Sequence, residues 1–223
     1  MLSTLQDAAI WNVPLTFLWV SFIIELTPGP NMTYLAVLTL VEGRRAGFAT
    51  VTGIAAGLFL IGILAALGVA AFVSESRLLY ELLRWLGALY MLWLAYDIWR
   101  GEEPSPLHED AKSFSYAPYF GRGFLTNVLN PKAAVFYIAI LPQFVDPSRA
   151  LLRQTITLSI AYTCVATAVH ATIVALASTM RPWLENAGRM ETTRRVLAAS
   201  LLFVALWLLW STAESTQGLT PGR

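Results

Sequence analysis

Glu25-Leu26-Thr27-Pro28-Gly29-Pro30-Asn31 and Asn127-Val128-Leu129-Asn130-Pro131-Lys132 interrupt two long apolar regions, one in each half of the chain. A lipid-spanning helix has little reason to hold two prolines, a glycine and an acid at its centre. Nor should it place Asn-Pro-Lys at the corresponding depth of another. Backbone groups freed inside a bilayer must be satisfied by protein or water, so such breaks persist where they line a cavity. Two broken segments, one per half, point to the binding site of a secondary transporter.

The surrounding sequence makes the bilayer the right solvent. Of 223 residues 57% are hydrophobic and only 13% are charged, against about 25% charged in soluble domains; the mean hydropathy is +0.60. Residues 46–74 and 196–213 hold no charge, and 154–180 hold none beyond the titratable His170. Because ~20 apolar residues cross a bilayer, the chain reads as an all-α integral membrane protein. The net charge of +1 comes without a basic stripe, so nucleic acid is not an expected partner.

Reading outward from the breaks gives six segments: about 10–41, 46–73, 78–99, 123–145, 154–180 and 196–213. Residues 1–100 form a first three-helix half, 101–120 a polar connection, 121–213 the second half and 214–223 a short tail, all in one membrane domain. Each half opens with a helix broken by Pro and Asn, followed by an Arg-bearing turn, Glu42-Gly43-Arg44-Arg45 or Asp146-Pro147-Ser148-Arg149. An odd number of spans per half forces opposite orientations, so an inverted repeat is expected. Alternate loops hold nine basic residues (Arg44, Arg45, Arg100, Lys112, Arg122, Arg181, Arg189, Arg194 and Arg195) against five on the other side (Arg77, Arg84, Arg149, Arg153 and Arg223). By the positive-inside rule both termini lie outside the cytoplasm.

Secondary features fit this plan. Gly53 and Gly57 share a helix face and allow close backbone approach, although glycine is also simply frequent in membrane helices. The tryptophans Trp11, Trp19, Trp85, Trp93, Trp99, Trp183, Trp207 and Trp210 fall mostly near segment ends, as an interfacial belt would. Cys164 is the single cysteine, so there is neither an internal disulfide nor a cysteine metal site. No basic residue precedes Arg44, so the first segment is not a cleavable signal.

The breaks also suggest chemistry. Proline suits the first turn of a helix, and Gly or Asn suits the cap before it, so each motif can start a half-helix within the membrane. A half-helix N-terminus attracts a carboxylate, and the carbonyls ending the preceding half-helix suit a cation. Together they match a zwitterion. The alternative is a pair of proline kinks used for packing. Lys132 costs ~2.5–3.5 kcal/mol at mid-bilayer and needs a partner, a wet cavity or an interface to snorkel to. Glu25 is its natural counter-charge: it either faces the same cavity, binding a substrate ammonium or exchanging protons, or forms a static pair with Lys132, or is a carboxyl kept neutral by burial. His170 is a proton-relay candidate or a packing residue. Asp97, three residues before Arg100, reads as half of an interfacial pair. No catalytic, zinc-binding or nucleotide-binding motif occurs, so no enzyme activity, cofactor or metal is expected, and uphill movement must draw on an ion gradient.

The motifs resemble those of the LysE/RhtB family of bacterial amino-acid exporters. The resemblance rests on Thr27-Pro28-Gly29-Pro30-Asn31 and Gly43-Arg44-Arg45-Ala46-Gly47, on the run Leu83 to Ala95, and on Asn127-x-x-Asn130-Pro131-Lys132 followed by Leu141-Pro142-Gln143-Phe144. It covers about residues 10–212. It implies a multi-pass protein of the bacterial inner membrane that exports amino acids or their derivatives, exchanging them for protons. The implied partners are an amino-acid substrate, protons, the lipid bilayer and, if the chain oligomerises, further copies of itself. The family motif carries over onto Pro28, Gly29, Pro30, Asn31, Asn127, Asn130, Pro131 and Lys132 as substrate-binding positions. Glu25 and His170 lie outside it and rest on the physical argument alone. Two competing readings stay open: a carrier of metal cations or other small ions, which would want several oxygen ligands, and a membrane scaffold without transport.

Overall fold

A computed structural model describes residues 9–10, 13–27, 29–68, 77–100, 115–181, 191–192, 195–196 and 198–206. Pro28, most of the polar connection, the tail, and Trp11, Trp183, Trp207 and Trp210 lie outside the described residues. So do the end of the second segment and parts of the sixth.

The described chain is almost entirely helical. After a two-residue antiparallel pair, Ala9–Ile10 with Val13–Pro14, come α1 (Leu15–Leu26), α2 (Pro30–Glu42), α3 (Arg44–Ala66) and α4 (Arg77–Arg100). The second half contributes α5 (Tyr116–Val128), the short α6 (Pro131–Val135) and α7 (Leu151–Met180). A π-turn over Phe136–Ile140 and a 3-10 turn over Leu141–Phe144 continue α6. Residues 198–206 are helical again.

Among the described residues, α3 and α7 are each long and apolar enough to cross a membrane. The pair formed by α5 and Pro131–Phe144, bent by 49° at its break, is together long and apolar enough for a third, as a broken span or a re-entrant loop. The helix α1 is apolar but only 12 residues long, and α4 is long enough but carries Glu81, Arg84 and Asp97 along its length. Large apolar side chains crowd the outer surface: Trp19, Leu67, Leu78 and Phe203 are each at least 60% exposed. A protein in water would hide so broad a surface; lipid welcomes it.

The fourth segment starts earlier than its sequence suggests. Its helix begins at Tyr116, not Gly123, because Pro118 sits in the first turn, where a missing N–H costs nothing. The two Arg-bearing turns also differ. Gly43, at φ 90°, is a single-residue joint between α2 and α3. Asp146 instead anchors a longer loop by accepting from Ser148 N and Oγ at 2.9 and 2.6 Å. Those two bonds hold its carboxyl below the usual carboxylate range.

The halves meet through small residues. A Cβ at Gly53 would collide with the Phe120 carbonyl, and one at Gly123 with the Thr50 carbonyl. The backbones of α3 and α5 therefore touch, which explains Gly53-x-x-x-Gly57 as a packing face. One apolar core gathers α1, α3, α7 and the segment after the second break around Phe17, Ile54, Phe136 and Tyr162. Another joins Tyr34 and Leu38 of α2, Met91 and Leu94 of α4, and Ala198, Leu201 and Ala205. The cavity borders the first core, sharing Ala133 and Tyr162 with it.

Candidate functional site

Both breaks form as their local chemistry dictates. Gly29 and Asn130 are extended N-cap residues, and Pro30 and Pro131 open the helices that follow. The two caps are not equivalent. Asn130 Oδ1 accepts from Lys132 N at 3.0 Å, so the second break satisfies its own first turn. The N-terminus of α2 has no side-chain cap.

The residue after each proline reaches across to the other break. Lys132 Nζ donates to the carbonyl of Thr27, the C-cap of α1, at 2.9 Å. In the reverse direction Asn31 Nδ2 donates to Asn127 Oδ1, in the last turn of α5, at 2.8 Å. A cation suits the negative end of a helix, which is how Lys132 is accommodated. The pair of asparagines leaves Asn31 Oδ1 and Asn127 Nδ2 buried without a hydrogen-bond partner, one free acceptor beside one free donor.

Between the breaks lies a cavity of about 250 Å³, its opening included, lined by Glu25, Gly29, Asn31, Met32, Asn127, Asn130, Lys132, Ala133, Tyr162 and His170. Of the residues singled out in sequence, Pro30 and Pro131 are buried but do not line it, and Pro28 lies outside the described residues. The rest converge on the cavity.

Glu25, 5% exposed, lies in the last turn of α1. It forms no ion pair with Lys132 among the described residues, although both line the cavity. Its Oε1 accepts from Tyr162 Oη at 2.5 Å, and its Oε2 lies 3.4 Å from His170 Nε2. That second contact has ion-pair distance without hydrogen-bond alignment, and both His170 ring nitrogens are otherwise unpartnered. His170 is therefore no isolated packing residue. Tyr162 escapes a motif search; its signal is its place on the buried stripe of α7 with Ser159, Ala166 and His170.

Asp97 departs from its expected pairing. It binds Arg122 of α5 at 2.8 Å rather than Arg100, and Arg100 lies instead over the Tyr96 ring. Arg122 also stacks on Trp93, 5.5 Å from the ring centre. The pair thus ties the two halves together, as does Tyr119, which donates to Glu42 at 3.1 Å.

A profile of the LysE type translocator family matches residues 22–212. The chain belongs to this family. The translocator is 28% identical to a homoserine/homoserine lactone efflux protein of Salmonella typhimurium, over 86% of this chain and 93% of that one. It is 27% identical to an uncharacterized membrane protein of Vibrio cholerae, over 94% of this chain and all of that one. A leucine efflux protein of an Enterobacter species is 31% identical over 60% of the translocator and 64% of its own length. No solved structure matches the translocator.

Proposed function

We propose that the translocator exports an amino acid or a close derivative from the cytoplasm across the bacterial inner membrane. It does so by alternating access around the cavity between its broken helices. One observation carries this reading: Glu25 and Lys132 line one small cavity without pairing to each other. Lys132 spends one of its three donors on Thr27 and keeps charge for a carboxylate, with Asn31, Asn127, Asn130 and the Gly29-Pro30 turn beside it. Glu25 faces the ammonium. The names of the relatives, which efflux homoserine, its lactone and leucine, support a substrate of this kind.

Six spans in two inverted halves fit the crossed contacts, in which each break is braced by the residue following the other's proline. The nine-to-five distribution of basic residues supports termini outside the cytoplasm. Proton antiport is the coupling we favour, with Glu25 and His170 as the groups that exchange the proton. A cation carrier has less support: among the described residues no three His, Cys, Asp or Glu side chains come together. The test is export from cells fed dipeptides of each amino acid, with and without the translocator. Selective appearance of one or a few amino acids outside supports the reading; no difference for any of them overturns it.

A further inference from the structure

Tyr162 belongs to no broken-helix motif, yet at 2.5 Å its hydroxyl makes the shortest polar contact in the cavity among the described residues. Both it and Glu25 are buried, and 2.5–2.7 Å is the range of a phenol or hydroxyl bonded to a carboxylate. The ring cannot turn away. It is stacked on Phe136, centroids 3.6 Å apart, and meets Tyr137 edge-on at 5.8 Å. Both neighbours open the π-turn after the second break, and Tyr137 is itself anchored by donating to the Leu58 carbonyl at 3.1 Å. Gly62 leaves the room in which that hydroxyl sits.

The consequence falls on the other carboxylate oxygen. With Oε1 committed to Tyr162, Oε2 is what Glu25 offers the cavity, and His170 Nε2 already stands 3.4 Å from it. The titratable or charged groups facing Glu25 are Lys132 after the second break, Tyr137 on the π-turn, and Tyr162 and His170 on α7. Helix α3 carries no ionisable residue beyond Arg44 and Arg45 at its start. Lys132 is turned to Thr27, which leaves the imidazole as the cation nearest Oε2 when it is protonated.

We propose that Tyr162 is a positioning residue that holds Glu25 so that a single oxygen, Oε2, is contested by protonated His170 and a substrate ammonium. This rests on the exporter reading above. When the ammonium takes Oε2, the imidazole loses its counter-charge and releases its proton to the water on the side the cavity faces. When the imidazole regains a proton, the ammonium is displaced. One carboxylate with one free oxygen thus suffices for exchange.

The experiment uses purified full-length protein in proteoliposomes, with L-homoserine and L-leucine as probes and KM and kcat read from pH ~8 to ~5.5, across the imidazole range. The wild type should show KM rising several-fold as pH falls, with little change in kcat. His170→Gln should flatten that rise. Tyr162→Phe, which keeps the ring, should raise KM several-fold at every pH while keeping the slope. A wild-type KM independent of pH, a slope retained in His170→Gln, or a Tyr162→Phe defect confined to kcat each overturns the proposal while leaving the exporter intact. Transport of neither probe by the wild type, or of any other amino acid, overturns the exporter reading and this proposal with it. Elution as a single species by size exclusion separates these effects from misfolding.

Discussion

Lys132 Nζ sits 2.9 Å from the carbonyl of Thr27, so a side chain from the second broken helix caps the end of the first. The contact spans 105 residues of sequence. It places the one lysine of the apolar segments on the negative end of a helix dipole, where a cation gains roughly 0.3–2 kcal/mol. Replacing it with an apolar side chain of similar length removes both the cap and the charge offered to a carboxylate. Lys132→Met should therefore lower the initial export rate at least about tenfold, the factor that ~1.4 kcal/mol represents, with membrane expression intact. Efflux from loaded cells, normalised to immunoblotted protein, measures it; full export by Lys132→Met would remove the lysine from the site.

The reciprocal contact predicts coupling of a different kind. Asn31 and Asn127 bond at 2.8 Å, and truncating either leaves a buried amide without its partner, at a cost of about 1–3 kcal/mol. Asn31→Ala and Asn127→Ala should each destabilise the protein, and the double variant should cost clearly less than the two together. Thermal unfolding of the four proteins in detergent closes the cycle. Simple additivity would mean that the bond contributes nothing beyond its separate groups.

Glu25 is the carboxylate on which proposed proton exchange and substrate binding converge, beside His170. Export by Glu25→Gln should lose its dependence on an imposed pH gradient while keeping downhill movement of substrate. Vesicles with and without a pH step, loaded equally, make the comparison. A variant that still responds to the step removes Glu25 from the coupling.

The breaks were legible in sequence because they depend on local chemistry. Proline at a first helical turn, with Gly29 or Asn130 capping it, needs no tertiary information. What the breaks touch was not legible. Lys132 to Thr27 and Asn31 to Asn127 join residues about a hundred positions apart, and no periodicity encodes such a meeting. Tyr162 was hidden for another reason: in an apolar helix a tyrosine reads as packing or as an interfacial anchor, and only the facing carboxylate gives it a second meaning. Asp97 misled because Arg100 is near in sequence, whereas the helix end turns Asp97 toward Arg122 of the other half. Tyr116–Phe120 belongs to the polar connection by composition, yet it is helical, because Pro118 falls in the first turn of α5, where a proline breaks nothing.

The contact of α3 with α5 predicts where side chains cannot grow. A Cβ at Gly53 meets the Phe120 carbonyl and one at Gly123 meets the Thr50 carbonyl; neither neighbour is a flexible side-chain tip that can yield. Overpacking of this sort costs roughly 1–3 kcal/mol or more. At Gly121, on the same helix, an added Cβ meets nothing within 4 Å. Gly53→Leu and Gly123→Leu should therefore sharply reduce the monodisperse fraction in fluorescence-detected size exclusion, and Gly121→Ala should leave it near wild type. Equal behaviour of the three variants would show that the halves can separate here without loss, and that the small residues of α3 serve no close approach.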